Sequence, residues 1–432
     1  MNYRPISLTC QSCKLLEHII SSHILDYLEG KNFFFANQHG FRKGLSTMTQ
    51  LVEAVHDFTS TLNQGLQVDV ICLDFNKAFD KIPHQKLIDK LIDTGLNTQI
   101  IQWIASYLSG RTQHVLIQDK TSGNAHVTSG VPQGSVLGPL LFFIYVNDIA
   151  SCIDNPVSIR LFADDCLIYC PIKTVHDQKI LAACLDRVTE WCIAWGMSIN
   201  CTKTVVSHIT NKKTRLEYTY SIQGHRLRHV DTFKYLGVYI KSDLKWDKQV
   251  SEVCSRARKR LWMITRKLRN STRQVKLTAY KSIIRPLLEY GSIVWDPFST
   301  KLSERIERIQ RLAARFIMSN YRRTESVTTM LDTLKLDTLA RRRKAAKLRF
   351  FYQLYNNKFR LDTTKYVQPL ISRPLRRVHN KQVVPYNARI EVFKHSFFPS
   401  VITAWNELPQ MIVNAEDIEA FDDCLSDLGC TL

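Results

Sequence analysis

Two adjacent carboxylates, Asp164 and Asp165, stand between two short apolar runs, Ser158 to Phe162 and Cys166 to Cys170. Each run has the length and composition of a buried strand of about five residues. The join is tight, and Asp tolerates turn geometry. The segment therefore predicts a hairpin that pushes two acids outward on a rigid support. Neighbouring carboxylates repel, and one tends to protonate. A divalent cation removes that conflict and takes hard oxygen ligands. An isolated Asp-Asp is more often a solvated acidic turn, so the reading depends on what else the chain supplies.

It supplies a third acid. Val68 to Asp74 is a mostly apolar, strand-like run that ends on Asp74. A helical pattern follows, with Leu87, Ile88, Leu91 and Ile92 on one face and Gly95 as its stop. A strand-end carboxylate beside an acidic hairpin can hold two metal ions on a rigid sheet. Such a pair drives in-line phosphoryl displacement, one ion activating the attacking oxygen and the other stabilising the leaving group. Alone, Asp74 also reads as a helix N-terminal acid. Between these acids, Ser129 to Leu140 places three Gly and two Pro in one short span, a shaped loop. Its backbone N–H groups and Gln133 could face a nucleotide; an ordinary turn before a core helix is the alternative.

The charge is unevenly spread. The 432 residues carry 59 Lys plus Arg against 39 Asp plus Glu, a formal net charge of +20. Residues 1–170 hold 12 basic and 15 acidic side chains, and the remainder holds 47 and 24. The acidic motifs thus precede a strongly basic part, as a metal site followed by a nucleic-acid clamp would. The twelve Cys are scattered, and no secretory signal precedes them, so reduced thiols are expected. The longest apolar run, near Val136 to Val146, is too short to span a bilayer. Cys10, Cys13, His18 and His23 have knuckle-like spacing. Leu15, Leu16, Ile19, Ile20 and Ile24 instead predict a helix with these apolar residues on its packed face and Glu17 and His18 on its polar side. No zinc site is expected.

Taken in order, the strand ending at Asp74, the SGVPQGSVLGP loop and FADD resemble motifs A, B and C of a reverse transcriptase. In detail they are most similar to polymerases of non-LTR retrotransposons, LINE-type elements of the jockey and chicken-repeat groups. NYRPISL (Asn2 to Leu8) and QHGFRKGLST (Gln38 to Thr47) resemble N-terminal fingers segments of that family. WCIAWGMSINCTKT (Trp191 to Thr204) resembles motif D, FKYLGVYI (Phe233 to Ile240) the primer-grip hairpin, and FFPSVITAWNELP (Phe397 to Pro409) the C-terminal tail.

The resemblance implies an α+β right-hand polymerase. Residues 1–66 are expected as fingers, 67–240 as a palm of antiparallel sheet backed by helices, and 241–330 as a helical thumb. Residues 331–432 are expected as a basic C-terminal region. Within the palm, Thr112 to Ile117 and Ala125 to Ser129 predict a β-hairpin turning near Ser122-Gly123-Asn124. The implied function is RNA-directed DNA polymerisation on an RNA template and DNA primer with deoxynucleoside triphosphates. Asp74 and Asp164 would hold two Mg²⁺ ions (Mn²⁺ as a substitute), with Asp165 assisting and the Phe75 carbonyl completing a shell. Phe79 would lie under the sugar and exclude a ribose 2′-hydroxyl, or be a core residue. Gln133 and Gly134 would position the nucleotide. Arg42 would touch triphosphate or template, or form a surface basic pair with Lys43. Lys203 sits where motif D carries a lysine that can neutralise the leaving pyrophosphate, or is a surface Lys.

Cys254 to Thr272 predicts an amphipathic basic helix whose Arg256, Arg258, Arg260, Arg266 and Lys267 would meet phosphates, or form a solvated face. No endonuclease segment of the kind such elements usually carry upstream is recognised, so the chain is expected to polymerise but not nick. It is expected in the nucleus or cytoplasm as a ribonucleoprotein. The rival readings are a nucleic-acid-binding relative without activity, and a group II intron-type maturase.

Overall fold

The computed structural model describes residues 7–370 and 379–427. Most of the Asn2 to Leu8 segment, and part of the C-terminal region expected over residues 331–432, lie outside them. The chain forms two compact units, one from residues 1–50, 67–208 and 212–230, the other from 51–66, 209–211 and 231–432.

The first unit opens with α1 (Gln11–Gly30); α2 (Thr47–Asn63) follows and belongs to the second unit from Leu51 onward. Strand β1 (Gln67–Leu73) comes next, then α3 (His84–Asp93) and α4 (Thr98–Leu108). Four two-residue strands follow: β2 (Thr112–Gln113), β3 (Leu116–Ile117), β4 (Lys120–Thr121) and β5 (Ala125–His126). β2 pairs with β5 and β3 with β4, so the ribbon turns at Gln118-Asp119 rather than near Ser122. Gln118 takes the left-handed conformation that a tight turn needs (φ 54°).

Helix α5 (Leu137–Val146) is apolar on every side and buried along nearly its whole length, as a helix without a polar face must be. Strands β6 (Ser158–Phe162) and β7 (Asp165–Ile172), helix α6 (Val175–Ala194), and strands β8 (Val205–Ile209), β9 (Ser221–Ile222), β10 (His225–Arg226) and β11 (Arg228–His229) complete the unit. The main sheet runs β11-β8-β1-β7-β6, with β7 antiparallel to both β1 and β6. A reciprocal capping box between Thr174 and Asp177 starts α6.

The helix over residues 11–30 is present, with Ile24 buried and His18 exposed as expected, but its N-terminal half departs from the expected stripe. Leu15, Leu16 and Ile19 are exposed, whereas Glu17 is buried. The Glu17 carboxylate accepts the N–H groups of Val136 (2.7 Å) and Leu137 (3.0 Å). It thus caps the positive end of α5, where an anion is favoured and free donors need acceptors. A second buried acid, Asp69 on β1, accepts from Gln67 Nε2, Gln178 Nε2, the Tyr220 hydroxyl and His208 Nδ1 at 2.7 to 2.9 Å. Saturation of both oxygens is what makes a fully buried carboxylate tolerable. The network ties β1 to α6 and β8.

In the second unit, β12 (Thr232–Tyr235) and β13 (Val238–Lys241) form a hairpin, and α7 (Asp247–Lys267) follows. Helix Thr300–Met318 packs on α7. The described residues of 331–370 and 379–427 are largely helical, with Leu339–Tyr355, Phe397–Asn406 and Ile418–Asp427 around the buried Trp405. Residues 51–66 and 231–240, expected with fingers and palm, pack in this unit. One reason is the ring cluster in which His56 of α2 meets Tyr366, Tyr386 and Phe398, with Tyr366 donating to Glu53.

Candidate active site

The acidic hairpin forms as its apolar flanks require. Phe162 pairs with Asp165, so the turn is Ala163-Asp164. Ala163 adopts φ 55°, a left-handed conformation that Gly usually supplies. Asp164 is therefore at the tip, and the exposed Asp165 begins β7. Beneath them, burial first and the Asp165 charge second push the Cys72 thiol up, so it is a neutral packing group.

β1 delivers the third acid. Its register on β7 ends at Leu73↔Cys166, and one further step brings Asp74 level with Asp165. There the backbone turns to a different partner. The Asp74 N–H donates to Thr204 Oγ1 (3.2 Å), the Asp74 carbonyl accepts from the Asn200 N–H (2.7 Å), and Phe75 bridges to Ile199. The same segment places Lys203 Nζ 3.9 Å from Asp74 Oδ2. Both side chains are about half exposed. Among the described residues, no three His, Cys, Asp or Glu side chains gather closely enough to form a metal-binding group. The structure thus brings Asp74 to Lys203, with Asp164 and Asp165 on the neighbouring turn, rather than closing all three acids on one point. The donor set is nonetheless one that suits a hard divalent cation, being carboxylate oxygens throughout.

The Gly-rich loop sits on the turn that follows β1. Gln133 Nε2 donates to Asp80 Oδ1 at 2.7 Å, and the Ser129 hydroxyl donates to the Asp80 carbonyl. Gly130 (φ 85°) lies against the same backbone, where an added Cβ would come within 2.7 Å of Asp80 and Phe79 atoms. Gly134 is exposed, with φ 106°. Phe79 is half-buried and stacks on Phe142 of α5, centroids 4.3 Å apart.

Two residues that the sequence does not single out, Gln38 and Gly40, support the acidic turn. Gln38 Oε1 accepts the N–H groups of Ala163 (3.2 Å) and Gly40 (2.9 Å), and Gln38 bridges to Leu161. A Cβ on Gly40 would stand 2.5 Å from the Ala163 nitrogen. The QHGFR match marked this stretch, but not its contact with FADD. Arg42 is placed away from solvent. Its guanidinium forms a two-pronged pair with Glu29, both contacts at 2.9 Å, and both side chains are only about a tenth exposed. It also donates to the Phe35 carbonyl.

The family profile described as reverse transcriptase (RNA-dependent DNA polymerase) matches residues 1–240, which include every acid, the loop and Lys203. The chain belongs to the reverse transcriptase family. Over 88% of its length it is 30% identical to a probable RNA-directed DNA polymerase from transposon X-element of Drosophila melanogaster, of which it covers 42%. Over 78% of its length it is 29% identical to the RNA-directed DNA polymerase from mobile element jockey of Drosophila funebris, of which it covers 38%. The chain therefore spans about two fifths of the length of these relatives. Among solved structures, apo telomerase from Candida tropicalis is similar at 13% identity and a TM-score of 0.43, covering 79% of this chain and 54% of that one.

Beyond the matched residues, this reverse transcriptase chain has its basic helix at α7, seven residues earlier at its start than expected and ending at Lys267. Arg256, Arg258, Arg260, Arg266 and Lys267 are exposed, while Val253, Ala257, Leu261 and Ile264 are buried. The primer-grip match falls on the β12–β13 hairpin, whose turn residues Leu236 and Gly237 both have positive φ. No helix among the described residues is long and apolar enough to cross a membrane.

Proposed function

We propose that this chain is the RNA-directed DNA polymerase part of a non-LTR retrotransposon, extending a DNA primer on an RNA template. The observation that carries the reading is the meeting of β1, β7 and the 198–204 segment, which sets Asp74, Asp164, Asp165 and Lys203 at one end of the sheet. Asp74 and Asp164 would hold two Mg²⁺ or Mn²⁺ ions, with Asp165 assisting and the Phe75 carbonyl completing a shell. When bound, such ions activate the primer 3′-hydroxyl for attack on the α-phosphate and neutralise charge on the leaving pyrophosphate.

The remaining roles belong to side chains. Lys203 stands beside Asp74, where it can offer a proton and positive charge to the leaving pyrophosphate. Phe79, held flat on Phe142, would lie under the sugar and reject ribose by shape. Gln133 and Gly134 line the nucleotide, with Gln133 oriented by Asp80. The exposed cations of α7 grip template and primer through phosphates without reading sequence. The enzyme would act in the nucleus or cytoplasm as a ribonucleoprotein.

The purified chain tests this on an RNA template carrying a DNA primer. Deoxynucleotide addition that requires Mg²⁺ or Mn²⁺ and stops with chelator is expected. Tight hybrid binding with no extension under any divalent cation would instead mark a binding protein that keeps the fold.

A further inference from the structure

The second unit contains a cavity of about 350 Å³ bordered by one face of the helix Leu339–Tyr355, the Asp296 to Phe298 turn and the helix Phe397–Asn406. The first helix contributes Arg343, Lys344 and Lys347. Arg343 is 2% exposed. Its Nε donates to Asp296 Oδ1 at 2.6 Å and its Nη2 to Ser303 Oγ at 2.9 Å, but its buried Nη1 has no acceptor. Lys347, also buried, reaches the other oxygen of Asp296 at 2.9 Å. One carboxylate is thus shared by two buried cations, and Lys344 adds a third beside them. A buried guanidinium N–H without an acceptor is uncommon and unfavourable. At the mouth, Phe298 stacks on His395 with centroids 4.9 Å apart and planes 12° from parallel, yet remains 47% exposed.

We propose that this cavity binds a nucleotide, its phosphate against Arg343, Lys344 and Lys347 and its base on Phe298. A phosphate supplies both the missing acceptors and the missing negative charge, in the geometry that Arg favours. The exposed ring supplies a stacking surface that any base can use. The volume is that of a small-ligand site. The ligand is either a free nucleotide or one nucleotide of an RNA strand. The site is separate from the acids of the first unit and does not rest on the polymerase reading.

Equilibrium dialysis of labelled AMP with the full chain tests it, in EDTA so that metal-dependent nucleotide binding at the acids of the first unit does not contribute. Wild type should bind AMP and not adenosine. Lys344→Glu should weaken AMP by about tenfold or more, as loss of a charged hydrogen bond does. Phe298→Ala should weaken AMP about tenfold while leaving inorganic phosphate binding unchanged, as loss of stacking does. Both residues reach the surface, and circular dichroism checks that the variants fold. Displacement of AMP by a short single-stranded RNA assigns the site to a strand; retention of AMP assigns it to a free nucleotide. Adenosine binding as well as AMP, AMP binding unchanged in both variants, or an acidic peptide binding where AMP does not, overturns the proposal.

Discussion

The Lys203 ammonium lies 3.9 Å from Oδ2 of Asp74, joined to it by a backbone segment that also holds the Asp74 amide and carbonyl. The ion pair is half exposed, so its contribution to folding is small. Its consequence is for chemistry. Lys203→Gln removes a cation that competes with a metal ion for Asp74, so half-maximal extension should need less Mg²⁺. In the proposed role Lys203 also serves the leaving pyrophosphate, so the maximal rate should fall about 10²-fold. A metal titration of single-nucleotide addition reads both values. An unchanged rate would leave Lys203 an ordinary surface residue.

Gly40 supports the turn that carries Asp164. Gly40→Ala places a methyl 2.5 Å from the Ala163 nitrogen, with Gln38 Oε1 and the Phe162 carbonyl carbon both next at 3.2 Å. Backbone cannot rotate away, so the turn must shift. A displacement of the reacting groups by about 1 Å costs on the order of 10²-fold in rate. The expected variant is folded, binds an RNA–DNA hybrid normally and extends poorly. Wild-type extension by Gly40→Ala would show that the turn tolerates the movement.

Much of this site was legible because its signals are local. Short apolar runs around Asp164-Asp165 and a strand ending at Asp74 need only run length and turn chemistry to be read. What the sequence did not reveal depends on distant partners. Glu17 looked like a polar-face residue because helical periodicity does not say which side is covered; its carboxylate is buried through α5, more than a hundred residues away. Gln38 and Gly40 meet Ala163 across a similar separation. Arg42 reads as available from the sequence, but Glu29, thirteen residues earlier, pairs with it. The C-terminal helices carry Arg and Lys on packed as well as exposed faces, as buried Arg343 and Lys347 show, and this blurs their amphipathic pattern.

Phe79 is stacked on Phe142 but half-buried, so one part of the ring packs and another faces outward. Phe79→Ala should raise ribonucleotide incorporation relative to deoxyribonucleotide in competition assays, with extension on deoxynucleotides retained. Equal ratios in variant and wild type would make the ring a core residue alone.

His39 is buried next to Thr49, and burial, then the Arg160 and Arg42 charges, lower its pKa from 6.5 to about 3. As pH falls below 6.5 the unfolded chain takes up this proton while the folded chain does not. His39 therefore lowers stability progressively between pH 6.5 and 3 and has no such effect above that window. From pH 7 to pH 5 the loss is about 2 kcal/mol. In urea unfolding at those two pH values, His39→Gln should lose less stability than wild type by that amount. Equal losses would mean that His39 is not held neutral.

In the proposed mechanism the acidic turn carries metal-dependent nucleotide addition. Extension and hybrid binding measured side by side for wild type and Asp164→Asn test it most directly, because the substitution keeps size and removes only the charge that would hold the cation. Metal-dependent extension by wild type, its loss in Asp164→Asn and equal hybrid affinity for both proteins are predicted. Extension by Asp164→Asn at the wild-type rate would mean that the Asp164 charge holds no cation needed for nucleotide addition.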